Sequence, residues 1–202
     1  MAKRLFDCVG AAFALLLLWP LLLGLALWIV LDSPGPALFR QERVGRFGRP
    51  FRIHKFRTMR PDADRLGPPL TVGDDVRITR AGRWLRRYRF DELPQLLDVL
   101  RGDMSLVGPR PEVPHYLALM PAALRERVLA VRPGITDPVS LAHLDEAAEL
   151  AAAADPEREY IEVILPRKLQ AAAEYASRAT LWSDLCVVAS TLRLLVGGRV
   201  QS

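Results

Sequence analysis

The sequence predicts a mainly α protein with a small β element, an α+β fold, carrying an N-terminal membrane helix and amphipathic interfacial helices. Three observations carry this. Cys8 to Leu31 form 24 consecutive positions without a charge, rich in Leu. The strand-like stretches fall between residues 37 and 57, on either side of a Gly-bearing turn. From Arg80 onward, apolar residues recur at helical spacing between Pro and Gly stops.

At about 1.5 Å per residue, the uncharged run makes roughly 36 Å of helix, enough to cross a bilayer's hydrocarbon core. A secretory leader would have an apolar region of about 7–15 residues followed by a small-residue cleavage site. This run is longer, and "VLDSPGPALF" makes a poor site. Pro20 stands near the middle. Proline removes a backbone bond and clashes with the preceding turn, so a bend is expected at Trp19-Pro20. Lys3 and Arg4 precede the run, and Arg40, Arg43, Arg46 and Arg49 follow it. Cytoplasmic flanks attract such residues. Two topologies fit: a helix that enters, bends and returns with both ends on one side, and a straight span.

The remaining elements follow in order. Residues 37–42 and 50–57 read as short strands, and residues 60–77 as loop. "TRAGRWLRRY" reads as a short helix with Trp84, Leu85 and Tyr88 inward. "DELPQLLDVLRG" reads as a helix with Asp91 as its N-cap and Gly102 as its stop. "SLVGPRPEVPHY" reads as rigid loop, and "PAALRERVLAVRPG" as an amphipathic helix closed by Pro133-Gly134. "LDEAAELAAAA" is helix, and a long amphipathic helix interrupted at Pro166 comes next. In the last helix, Trp182, Leu185, Val188, Leu192 and Leu195 share one apolar face, read as core or membrane-surface contact.

The charge balance is basic, 28 Lys+Arg against 23 Asp+Glu. Nearly all the cations are Arg, clustered between Arg40 and Arg89, a patch suited to phosphates. Cys8 and Cys186 cannot build a disulfide framework or a zinc site, which fits a reducing compartment.

Within this basic region, Asp91 and Glu92 stand side by side. Adjacent carboxylates repel, and one pKa should rise unless cations intervene. Arg83, Arg86, Arg87 and Arg89 supply positive charge. So would Mg²⁺, which favours one or two carboxylates plus substrate phosphates. Arg110, fixed between Pro109 and Pro111, is a rigid prong for a phosphate oxygen. Lys55, Arg57, Arg77, Arg86 and Arg132 are further candidate phosphate or nucleotide contacts. Asp62-x-Asp64 is a weaker metal candidate in a loop. Asp74-Asp75 reads as turn chemistry, and His54, His115, His143 and Met104 as packing or surface residues. The bland reading of Asp91 and Glu92 is a capped helix whose acids complement its dipole.

"KRLFD", "PGPALFRQERVGRFGRPFRIHKFRTM", "DELPQLLDVLRGDMSLVGPRP" and "RPGIT" together resemble the monotopic phosphoglycosyl transferases, the bacterial sugar transferase family, across nearly the whole chain. The resemblance implies a re-entrant N-terminal membrane anchor in residues 1–36 and a catalytic domain in residues 37–202, on the cytosolic face of the bacterial inner membrane. It implies transfer of a sugar 1-phosphate from a UDP-sugar to a polyprenol phosphate, with Mg²⁺ and an aspartyl-phosphosugar intermediate. Asp91 then matches the nucleophile and Glu92 its acidic partner, both near the metal. This chain has Trp19-Pro20 where many members have Ser-Pro, and Arg89-Phe90 where they often have Ser-Leu. A non-catalytic basic module, anchored in the membrane and binding anionic lipid or nucleic acid, would explain the anchor and the arginines. It gives no reason for Asp-Glu beside Pro-Arg-Pro, so membrane lipids are expected as partners and nucleic acid is not.

Overall fold

A computed structural model describes residues 1–66, 75–138 and 146–197. The Asp64 carboxylate, Asp74, His143 and the Leu195 side chain lie outside the described residues.

Helix α1, Ala2–Asp32, runs unbroken through Pro20. Asp7, Ala11, Leu25 and Ile29 are buried, with Leu15, Leu18 and Leu22 half-buried between them. Spacings of three and four put these on one face. The other face exposes Phe13, Leu16, Leu17, Trp19, Leu23 and Leu27. A solvated protein does not leave so long an apolar stripe uncovered.

The hairpin β1, Leu38–Val44, with β2, Pro50–Phe56, pairs antiparallel from Leu38 opposite Phe56 to Val44 opposite Pro50. After a short turn of helix α2, Ala63–Leu66, comes helix α3, Arg80–Arg87, capped by Thr79, whose hydroxyl accepts from Gly82 N. A 3₁₀ segment, Phe90–Gln95, leads into α4, Leu96–Arg101, which stops at Gly102 with φ 94° as expected. Beyond lie β3, Ser105–Val107; α5, Pro114–Ala118; α6, Ala122–Leu129; and β4, Gly134–Thr136. The chain ends with α7, Glu146–Ala152; α8, Pro156–Glu159; a π-turn, Tyr160–Ile164; α9, Leu165–Arg178; and α10, Leu181–Gly197.

The structure differs from the sequence reading at three points. Asp91 is not an N-cap: Arg89 adopts a left-handed conformation (φ 55°), and the 3₁₀ turn has already begun at Phe90. The supposed rigid loop after Met104 contains β3, which pairs in parallel with β4. A three-residue strand whose partner lies about 30 residues away leaves no periodic signal. Trp84 does not turn inward but stays 38% exposed, while Leu85 is fully buried. The interruption near Pro166 is a π-turn just before it, which makes room for a ring that would clash with the previous turn.

Two core clusters contain α1 itself. Ala11 packs with Ile53, Leu96, Val99 and Met104. Leu25 and Ile29 pack with Phe56, Ala81 and Leu85. A third cluster joins α5, α6, α7, the π-turn and α9 through Tyr116, Val128, Leu150, Ile164 and Leu169. Polar contacts fix both ends of α1. Lys3 pairs with the buried Asp184 and donates to Val107 O at 3.1 Å. Arg4 donates to Val99 O (2.6 Å) and Leu100 O (3.0 Å), carbonyls of the last turn of α4. Asp7 accepts from Ser105 Oγ at 2.9 Å and Leu106 N at 3.1 Å. At the far end, Asp32 accepts from Ala81 N at 2.9 Å. The helix therefore belongs to the same body as the β-hairpin and α4.

Asp7→Ala removes a buried acceptor and leaves the Ser105 hydroxyl and Leu106 N–H unpaired. It is expected to cost about 2–4 kcal/mol and to free the start of α1. Chemical denaturation with limited proteolysis checks this; an unchanged midpoint with an equally protected N-terminus would count against it.

Candidate active site

Strand alternation puts Ile53 and Lys55 on one face of β2, with His54 and Phe56 on the other. His54 is consumed structurally: its N and Nδ1 lie 2.9 and 2.6 Å from the buried Asp98 carboxylate. Lys55 meets the 3₁₀ segment, and its Nζ lies 3.1 Å from Glu92 Oε1. Arg110 reaches the same oxygen, with its NH2 nitrogen at 2.7 Å.

Arg110 is held there by backbone. Gly134 N donates to Pro109 O at 2.9 Å, and Gly108 N donates to Thr136 O at 3.1 Å. The two glycines touch so closely that a Cβ on Gly134 would lie 2.1 Å from Gly108 N. Arg43 of β1 supports the loop from below, donating to Pro111 O at 3.0 Å. Its Nε is buried with no partner. Arg43, Lys55, Glu92, Gln95, Arg110 and Gly134 line a cleft of about 220 Å³.

The two acids are not equivalent. Burial pushes Glu92 up, but Arg110, Lys55 and Arg89 together outweigh it and hold the carboxyl well below the usual range. Glu92 in turn raises Arg110. Asp91 goes the other way. Burial raises its pKa, and the Glu92 charge adds to the rise, against Lys55, Arg86 and Arg110. Asp91 accepts no hydrogen bond and forms no ion pair among the described residues. Arg86 Nε donates to Thr58 Oγ1 at 2.9 Å, and its terminal nitrogens have no protein acceptor among the described residues. The unused nitrogens of Arg110 are likewise open. The result is a free carboxylate beside unspent guanidinium donors.

The bacterial sugar transferase family model matches residues 1–198. The chain belongs to that family. It is 38% identical over 200 residues to a UDP-N-acetylgalactosamine-undecaprenyl-phosphate N-acetylgalactosaminephosphotransferase of Aeromonas hydrophila, covering 97% of this chain and 44% of that protein. It is 43% identical over 204 residues to a UDP-glucose:undecaprenyl-phosphate glucose-1-phosphate transferase of Caulobacter vibrioides, covering 97% of this chain and 70% of that protein. The chain thus spans less than half the length of the Aeromonas relative.

In this family member, the sequence candidates divide into two groups. Lys55, Glu92, Arg110 and Pro111 line the cleft, and Asp91 lies close enough to Lys55, Arg86 and Arg110 for their charges to act on it. Arg57, Arg77 and Arg132 are committed to backbone and loop contacts. Arg57 donates to Pro34 O (2.6 Å) and Ser33 O (2.7 Å), clamping the end of α1. Arg77 binds Asp75 at 2.6 Å and Ala63 O at 3.3 Å. Arg132 donates to Gly102 O at 2.8 Å. Trp19 and Pro20 lie on the exposed face of α1. Sequence reasoning missed Arg43, Gln95 and Gly134 as cleft residues. Arg43 was read only as a flanking charge, and only the β3–β4 pairing reveals the role of Gly134.

Sugar-phosphate transferases of this kind generally use a divalent metal. Among the described residues no three metal-ligating side chains converge. An unpartnered carboxylate next to a second acid nonetheless fits a hard cation that takes its remaining ligands from substrate phosphates and water.

Proposed function

We propose that this chain transfers a sugar 1-phosphate from a UDP-sugar to a polyprenol phosphate, releasing UMP, in glycoconjugate or exopolysaccharide assembly. The observation that carries this is the free Asp91 carboxylate beside Glu92, whose Oε1 is bound by both Lys55 and Arg110, and the open donors of Arg86 and Arg110. The names of the relatives support the donor and acceptor classes.

In the first displacement, an Asp91 oxygen attacks the phosphorus bearing the sugar. The bond from that phosphorus to the bridging oxygen breaks, and UMP leaves with the bond's electron pair. In the second, a phosphate oxygen of the polyprenol attacks the aspartyl-phosphosugar, and Asp91 leaves as a carboxylate. Arg110 and Arg86 offset the charge repulsion between an anionic nucleophile and an anionic phosphoryl group. Lys55 and Arg110 pin Glu92 and keep it ionised, which also holds Arg110 in place. Asp91 and Glu92 would hold Mg²⁺, which would supply charge neutralisation at the diphosphate when bound. Incubating purified full-length protein with Mg²⁺, polyprenol phosphate and a panel of UDP-sugars should release UMP with at least one donor. No UMP from any donor would overturn the reading.

Residues 1–36 serve as the membrane anchor and residues 37–202 as the catalytic domain, on the cytosolic face of the bacterial inner membrane. The attachment of both ends of α1 to one body supports a re-entrant arrangement, with both ends on the same side of the membrane. A cysteine at Ala2, in a background lacking Cys8 and Cys186, should resist a membrane-impermeant thiol reagent in intact cells and react after lysis. Labelling in intact cells would establish a straight span.

A further inference from the structure

Helix α3 carries two faces of opposite character. Ala81, Gly82 and Leu85 are buried, packed towards α1 and β2. Arg80, Arg83, Trp84 and Arg87 are exposed and recur at spacings of three and four, so they form one outward stripe. None of these three arginines is paired with a carboxylate among the described residues. Arg83 makes only a 3.4 Å contact to Ile78 O, and Arg87 lies 5.8 Å from the Tyr88 ring centre.

The stripe adjoins the apolar exterior of α1. Trp84 stands edge-on to Trp28 of α1 with ring centres 5.5 Å apart, and it also packs on Tyr88 and Phe90. Trp28 and Trp84 stay 37% and 38% exposed. Tryptophan beside unpaired arginine, at the edge of a bare apolar surface, is the composition of a membrane interface. Water-filled surroundings alone would favour neither exposed indole.

We propose that the α3 stripe Arg80–Arg83–Trp84–Arg87 is a docking surface for anionic phospholipid headgroups, seating the edge of the catalytic cleft on the bilayer. This rests on the membrane placement of α1 given above. Unpaired positive charge matches an anionic leaflet, and the surface continues the face through which α1 meets lipid. Phe90 ends the aromatic cluster and directly precedes Asp91, so the same contact would set the height of the cleft above the headgroups. Near such a leaflet each arginine is worth roughly a fivefold enrichment.

The test uses the full chain, with Trp19 and Trp182 replaced by Phe, reconstituted in mixed vesicles of phosphatidylcholine and phosphatidylglycerol. Bromine is carried either by the phosphatidylglycerol or by the same mole fraction of phosphatidylcholine. Brominated phosphatidylglycerol should quench Trp28 and Trp84 several-fold more than brominated phosphatidylcholine, and high salt should narrow the gap. Arg80→Gln/Arg83→Gln/Arg87→Gln should erase the preference, while Arg49→Gln/Arg52→Gln/Arg127→Gln, with equal charge loss off the stripe, should retain it. Equal quenching by both lipids, or equal loss in both triple variants, would overturn the proposal. No quenching by either lipid would instead remove the membrane placement of α1 on which it rests.

Discussion

Asp91→Asn is expected to reduce sugar-phosphate transfer by on the order of 10⁴-fold or more, the scale seen when a covalent nucleophile is removed. The substitution keeps the shape and removes the charge. Glu92 forms ion pairs with Lys55 and Arg110, whereas Asp91 binds nothing among the described residues. Asn therefore breaks no contact and relieves the repulsion between the two carboxylates. The variant should melt at the same temperature as wild type or higher. Incubation with a donor labelled in the sugar, without acceptor, should label the wild-type chain and not the variant. Substantial turnover by Asp91→Asn would remove Asp91 from the nucleophile's role. A drop in melting temperature would show that it supports the fold in a way its geometry does not suggest.

Gly134→Ala is expected to have the largest effect on stability. The added methyl would stand 2.1 Å from Gly108 N and 2.5 Å from Gly108 O. Both are backbone atoms of the residue just after β3, which is hydrogen-bonded to Thr136 of β4, so the two segments must separate. Overpacking of this kind, with loss of the hydrogen bonds from Gly134 N and Gly108 N, should cost about 3–5 kcal/mol, or roughly 10 °C in melting temperature. Because Gly134 N holds Pro109 O, Arg110 should shift as well, and activity should fall further than stability alone explains. Gly24→Ala is the contrast. Nothing lies within 4 Å of its added Cβ, and alanine is the better helix former by about 1 kcal/mol, so it should be neutral or stabilising. A Gly134→Ala protein with wild-type melting and rate would refute the strand-locking role.

Much of the site was legible along the chain because its chemistry is local. Asp91 and Glu92 are adjacent, Pro109-Arg110-Pro111 is contiguous, and the uncharged run announces α1 by length alone. The signal failed where one residue type has two uses. Arg57 and Arg86 lie in equally basic stretches, yet Arg57 clamps the carbonyls at the end of α1 and Arg86 keeps its terminal nitrogens open beside Asp91. Nothing in either neighbourhood distinguishes them, because the difference depends on which carbonyls lack partners.

The sequence by itself determined the apolar helix, the hairpin, the stop at Gly102 and the acid pair in a basic field. Each is set by hydrophobic length, backbone propensity or covalent neighbours. Only tertiary structure decided which acid is free. Lys55 from β2 and Arg110 from the loop after β3 both close on Glu92, 37 and 18 residues away in the chain, and leave Asp91 without a partner. It also decided that Lys3, Arg4 and Asp7 are anchors to α4, β3 and α10 rather than flanking charges alone. A charged group's role depends on the groups that reach it through space, and strand pairing and helix packing bring those groups from distant parts of the chain.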